Sequence, residues 1–206
     1  TAWPAAYAWP QRQAFAQGLD IDGAAFGLIL LGGDTVSTPG PLVVSATMMG
    51  WVPAGDMVKR GGAQTGDVLA VSGFIGDGGL GLMVVQGALG DPDGQLRAHY
   101  TLPEPRLNLR DGLLRYARAA ADVSDGLVAD AWHIAEASGL GLSISLDRLP
   151  ISAEGRTWLS RQPEPEAALL FLATSGDDYE IVCATSPEGA AAMGMTYGGP
   201  GGTIAP

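Results

Sequence analysis

Asp122-Val-Ser-Asp-Gly-Leu127 places two carboxylates three residues apart with a serine between them, at the expected start of a helix. Unpaired backbone N–H groups and the positive end of the helix dipole make such a start a phosphate site. Carboxylates there would repel a phosphate unless a hard cation stood between them, and magnesium takes one or two carboxylates and completes its shell with water and phosphate oxygens. The spacing therefore points to phosphoryl chemistry. Serine and aspartate are also preferred N-cap residues, so the hexapeptide taken alone favours a plain cap formed by Ser124 or Asp122 over a metal site.

Other acidic turns stand where apolar runs end: Gly32-Gly-Asp-Thr35, Gly73-Phe-Ile-Gly-Asp77 and Ser175-Gly-Asp-Asp-Tyr179. Ligands in α/β proteins gather outside strand ends, where loops converge without disturbing the core. Each turn has a local explanation in the turn preferences of Gly, Asp and Ser, and their recurrence suggests a shared site. Known nucleotide motifs are missing. Lys59 is the single lysine, so a P-loop is excluded, and the glycines from 73 to 81 do not form a dinucleotide fingerprint. His99 and His133 lack metal-spaced partners, which argues against zinc.

Twenty-two acidic against 11 basic residues give a net charge of −11, with no basic cluster to grip a polyanion, so nucleic acid is not an expected partner. No apolar run reaches the length that spans a bilayer, and the first residues do not read as a signal peptide. The lone Cys183 lies in the apolar run Ile181–Ala184 and reads as a buried, inert thiol in a reducing compartment. The expectation is a soluble cytoplasmic protein. A start at Thr1 and a glycine-rich, loop-like tail from Gly198 to Pro206 read as part of something longer.

The elements that must carry these turns alternate between helical and extended patterns. Helices are expected at Gln11–Leu19, Leu80–Leu89, about Asn108–Ala120, Ser124–Ser138 with Gly139 as its stop, and Pro165–Ala173. Strands are expected at Phe26–Leu31, Pro41–Val52, Val68–Ser72, Leu142–Leu146 and Tyr179–Ala184, with Asp91–Pro105 a surface connection. Breakers at Pro53-Ala-Gly-Asp56 and Gly61-Gly62 mark a boundary. The pattern is mixed α/β.

In order and spacing, Leu31-Gly-Gly-Asp-Thr35, Val58-Lys-Arg-Gly-Gly-Ala63, Ser72-Gly-Phe-Ile-Gly-Asp77, Asp122-Val-Ser-Asp-Gly-Leu127 with Asp130, and Ser175-Gly-Asp-Asp-Tyr-Glu180 resemble the thiamine-monophosphate kinases. These belong to the ATP-binding superfamily of aminoimidazole ribonucleotide synthetase. The resemblance covers roughly Gly18 to Met193. It implies a two-domain fold of that α/β (α+β) type, with residues 1–55 the remainder of an incomplete amino-terminal domain and 56–206 most of the carboxy-terminal one. It also implies ATP-dependent phosphorylation of thiamine monophosphate to thiamine diphosphate, with several Mg²⁺ ions and no covalent intermediate. Homodimerisation through amino-terminal strands is part of the same expectation.

Residue by residue, Gly33 and Asp34 resemble the nucleotide-binding turn, Asp34 doubling as a magnesium ligand. Arg60 and Ser124 resemble ATP contacts, Asp122 and Asp125 metal ligands, and Asp177 an acidic substrate contact. For Asp77 and Asp178 the reading favours stabilisation of their own turns. The family's amino-terminal segment carries further metal-binding aspartates, and Thr1 begins after it. Two other readings stand beside the kinase: an amidine-forming synthetase of the same superfamily, and a noncatalytic nucleotide-binding module.

Overall fold

A computed structural model describes residues 1–197 and the strand Thr203–Ala205. Thr1–Val52 and Pro53–Pro206 form two compact units. In the first, helix α1 (Trp9–Phe26) lies between strands β1 (Ala2–Pro4) and β2 (Val36–Thr38), which pair in parallel. Trp3 is the buried anchor, flanked by the rings of Tyr7 and Phe15.

Two sequence expectations fail in this unit. The run Phe26–Leu31 is not a buried strand: Phe26 closes α1, Gly27 turns the chain at φ 66°, and Ile29, Leu30 and Leu31 are exposed. An apolar run becomes a buried strand only where neighbours pair with it, and among the described residues none does. Pro41–Val52 likewise forms only a single bridge, Val43 to Ala2.

The second unit is built on an antiparallel sheet in the order β4-β6-β3-β8-β5, with β7 also beside β3. Its strands are β3 (Val68–Val71), β4 (Ala119–Val123), β5 (Gly141–Ser143), β6 (Glu180–Thr185), β7 (Thr196–Tyr197) and β8 (Thr203–Ala205). Successive side chains on a strand face opposite ways. Leu69, Val71, Val182 and Ala184 therefore pack with helix α5 (Leu127–Ala137) through its stripe of Leu127, Ala131 and Ile134. Val68, Ala70 and Cys183 face the other side, against α4 (Arg110–Tyr116) and α8 (Pro187–Met193). Cover on both faces explains why Val68–Val71 is wholly apolar rather than alternating.

A second helical layer holds Leu80, Val84, Leu96, Ile151 and Leu172 together. It consists of α2 (Asp77–Val85), α3 (Gln95–Thr101), α6 (Ala153–Leu159) and α7 (Pro165–Thr174). Helix α3 lies inside the stretch expected to be a bare connection; it packs so closely on α2 that a Cβ on Gly81 would strike Leu96 and Tyr100. Helices α6 and α8, not foreseen from periodicity, are started by Ser152 and Ser186, whose hydroxyls accept the N–H groups of Gly155 and Gly189.

Residues 119–123 correct the expected helix Asn108–Ala120. Three consecutive alanines favour a helix locally, yet the chain leaves α4 at Tyr116 and pairs along β6 from Ala119↔Ala184 to Val123↔Glu180. Helix α5 does stop at Gly139, in the left-handed region at φ 67°. In the tail read as a loop, Thr203–Ala205 is a strand and the remainder lies outside the described residues.

Candidate functional site

Strands β3 and β4 end, and the antiparallel β6 begins, at one end of the sheet, because Val123 pairs with Glu180 and Val71 with Val182. Three turns leave from that end: 72–76, 124–126 and 175–179. The second and third are joined by their backbones. Asp177 N–H donates to the Ser124 carbonyl at 3.0 Å and Tyr179 N–H to the Val123 carbonyl at 2.8 Å. A Cβ on Gly176 would collide with that same Ser124 carbonyl, so glycine there allows the approach.

The side chains of Asp122 and Asp125 are both exposed, without a hydrogen bond or ion pair among the described residues. The capping reading fails here. The N-cap of α5 is Gly126, and no side chain caps it. Asp130, one turn into the helix and 1% exposed, instead accepts the N–H groups of Ser124 and Asp125 through Oδ2 at 2.9 and 3.0 Å. Those two N–H groups therefore do not stand free for a phosphate, which narrows the expected anion site at this turn. What remains is a pair of unpartnered hard-oxygen donors held by a pinned backbone.

Magnesium fits that donor set. Among the described residues no group of three or more His, Cys, Asp or Glu gathers to hold an ion alone. An ion held by Asp122 and Asp125 would complete its shell with water or phosphate oxygens.

Asp177 comes to the same place. It is half-buried, sits at φ 66°, and its Oδ1 accepts the hydroxyl of Tyr179 at 2.9 Å. Tyr179 is itself at φ 51°. Two non-glycine residues in the left-handed region within three positions are costly and persist only where surrounding bonds over-determine them.

Buried acids supply those bonds. Asp178, 1% exposed, accepts Gly76 N–H through Oδ2 at 2.8 Å and Gly78 N–H through Oδ1 at 2.8 Å, so it closes the start of α2 from 100 residues away. Burial pushes its carboxyl up to about 7, against the opposing effect of the two N–H donors. Asp77 accepts the Ser152 hydroxyl at 2.7 Å and is likewise raised, chiefly by burial. Neither stabilises its own turn, as the sequence had suggested; each ties its turn to a distant segment.

Glu180, also 1% exposed, is held by the Arg106 guanidinium, whose Nε donates to Oε2 at 2.8 Å and whose second nitrogen pairs with Oε1. The Ser72 hydroxyl donates to the same carboxylate. The pairing in turn raises the guanidinium above its ordinary range.

Arg60 lies elsewhere, along the free edge of β4. Its neighbour Lys59 accepts Ala120 N–H at 2.9 Å, Gly61 abuts Ala137 and Gly62 abuts Arg118. The Arg60 side chain is exposed, anchored two residues upstream of Asp122 along the strand. Gly33 and Asp34 belong to the first unit, in the exposed stretch before β2, where Asp34 Oδ1 accepts Thr35 N–H at 2.7 Å.

Residues 64–196, most of the second unit, match the AIR synthase related protein, C-terminal domain. The chain belongs to this family.

The AIR synthase-related chain is 54% identical over 185 residues to a thiamine-monophosphate kinase of Caulobacter vibrioides, covering 90% of this chain and 53% of that protein. It spans about half the length of the curated relatives it matches. Among solved structures, thiamine-monophosphate kinase from Stenotrophomonas maltophilia K279a superposes with a TM-score of 0.80 at 30% identity, covering 99% of this chain and 67% of that one. A ThiL protein complexed with AMPPCP and TMP gives a TM-score of 0.77 over 99% of this chain and 65% of that one; at 23% identity this shows the fold alone.

The family motifs contain Asp130, Asp178 and Glu180, and the structure shows what they do. Arg106 was missed altogether. An acid at the head of an apolar strand demands a positive partner, but nothing in the spacing selects one basic residue out of 11.

Proposed function

We propose that the full-length protein carrying this chain is a thiamine-monophosphate kinase. The observation that carries the reading is 54% identity over 185 residues to a thiamine-monophosphate kinase. The convergence of Asp122, Ser124, Asp125 and Asp177 on one end of the sheet gives the reading a site. An oxygen of the acceptor's phosphate attacks the γ-phosphorus of ATP, the bond to the β–γ bridging oxygen breaks, and ADP departs with that electron pair.

The acceptor is already an anion, so it needs almost no deprotonation, and a site of aspartates without a histidine base is chemically adequate. Catalysis then rests on alignment and charge neutralisation. Asp122 and Asp125 would hold Mg²⁺, which supplies neutralisation of phosphate charge; the resemblance makes Asp34, in the other unit, a magnesium ligand in its own right. Asp177 binds the acceptor, Ser124 contacts ATP in a turn that Asp130 keeps rigid, and Arg60 and Gly33 contact the nucleotide. A structural neighbour of the same fold carries AMPPCP and TMP together. Work as a cytoplasmic homodimer belongs to the same proposal. No helix among the described residues is long and apolar enough to cross a membrane, and the lone cysteine is buried.

Coupled ADP release by the full-length protein with ATP, Mg²⁺ and thiamine monophosphate tests this. Thiamine diphosphate should accumulate in step with ADP. Turnover with a formylglycinamidine substrate instead, or ATP binding with no turnover, overturns it.

A further inference from the structure

Tyr179 stands out among the residues that this mechanism leaves unused. Its ring is 45% exposed at the site, although its backbone occupies the left-handed region at φ 51°, which an aromatic residue adopts only under constraint. Its N–H is spent on the Val123 carbonyl at 2.8 Å, which fixes it beside the end of β4. Its hydroxyl reaches back across the turn to Asp177 Oδ1 at 2.9 Å. The strained conformation, the backbone tether and the hydroxyl contact therefore serve one arrangement.

We propose that Tyr179 is the positioning residue for the Asp177 carboxylate, holding it in the orientation that meets the acceptor substrate. Asp177 has its own backbone constrained at φ 66° and its N–H donated to Ser124, so the main freedom left is rotation of its carboxylate. The phenol occupies Oδ1, and Oδ2 has no hydrogen-bond partner among the described residues. Tyr179 acts through Asp177 and does not itself need to touch the reacting atoms. The inference rests on the reading of Asp177 as the acceptor contact and adds the residue that aims it.

The test is a double-mutant cycle in the full-length protein. Tyr179→Phe keeps the ring and removes only the donor; Asp177→Ala removes the group being aimed. A hydrogen bond to a charged group at a partly exposed site is worth about 1 kcal/mol, so Tyr179→Phe should raise KM for thiamine monophosphate about fivefold. The turnover number and KM for ATP should stay within about twofold. In the Asp177→Ala background the same change should have no effect on KM, because nothing is left to orient. A merely structural role for the phenol predicts the opposite pattern: equal losses in both backgrounds, with ATP affected as much as the acceptor.

An unchanged acceptor KM in Tyr179→Phe, or an equal loss in both backgrounds, overturns the inference. If the wild type turns over no thiamine monophosphate, the kinase proposal fails separately, and the cycle is read by calorimetry of thiamine monophosphate binding. Binding weakened by Tyr179→Phe only when Asp177 is present supports the inference. Equal binding by wild type and Tyr179→Phe, or none by either, overturns it.

Discussion

Replacing Asp122 or Asp125 by asparagine separates the proposed chemistry of the central turn from its architecture, because the proposed metal ligands and the carboxylate that pins the turn are different residues. Among the described residues neither side chain has a hydrogen bond or ion pair, and both are exposed. Their loss should change stability by no more than about 0.5 kcal/mol, the ordinary range for surface substitutions. Asp130 is the opposite case. It is 1% exposed and receives two N–H groups on one oxygen. Asparagine can still accept there, but it gives up the charge and introduces a buried amide donor. Hydrogen bonds to charged groups contribute about 1.5–3 kcal/mol, so Asp130→Asn should cost about 2 kcal/mol. For a chain of this length that is roughly 4–8 °C in Tm. Thermal unfolding by circular dichroism reads the stabilities, and ADP release with varied Mg²⁺ reads the chemistry in the full-length protein. Asp122→Asn and Asp125→Asn should unfold with the wild type yet lose Mg²⁺-dependent activity. A Tm drop in either variant as large as that of Asp130→Asn, or activity close to wild type, would refute the division of labour.

Two further outcomes follow from the buried acids. Arg106→Leu strands Glu180, which is 1% exposed. Breaking a buried pair from one side costs about 3 kcal/mol, roughly 6–12 °C here. Arg106→Leu combined with Glu180→Gln should recover most of that loss, and additive losses in thermal unfolding would show that the pair does not act as a unit. Asp178, pushed up to about 7 from 3.8, binds its proton more tightly folded than unfolded. Its contribution to stability is therefore complete below about pH 4 and is lost as pH rises through 7. Asp178→Asn cannot titrate, so the wild type should lose Tm relative to this variant between about pH 4 and 7; parallel pH profiles would count against an elevated Asp178.

Much of the second unit is legible from local signals. Val68–Val71 is too apolar to lie anywhere but inside, Pro165 announces α7, and the stripe of Leu127, Ala131 and Ile134 ending at Gly139 describes α5. These signals work because burial and capping are properties of a few neighbouring residues. Ala119–Val123 shows where they stop. Its alanines favour a helix over a span of a few residues, and pairing with β6, some 60 positions later, outweighs them. Ile29–Leu31 fails in the reverse sense, since apolar residues do not make a strand without a neighbour to pair with.

At the site, the sequence alone determined that Asp122, Ser124 and Asp125 lie together on one short turn rich in oxygen donors, because residue type and spacing along one segment carry that information. It also determined that Ser175–Glu180 is a companion motif. Only the tertiary structure decided how the acids divide their work. Asp130 secures the turn, Asp178 closes a helix 100 residues away, Glu180 is neutralised by Arg106, and Tyr179 bends back to hold Asp177. The physical reason lies in what fixes a carboxylate's role. Its exposure and the donors that reach it depend on segments brought together by sheet pairing, and identical Asp residues look alike until those partners arrive.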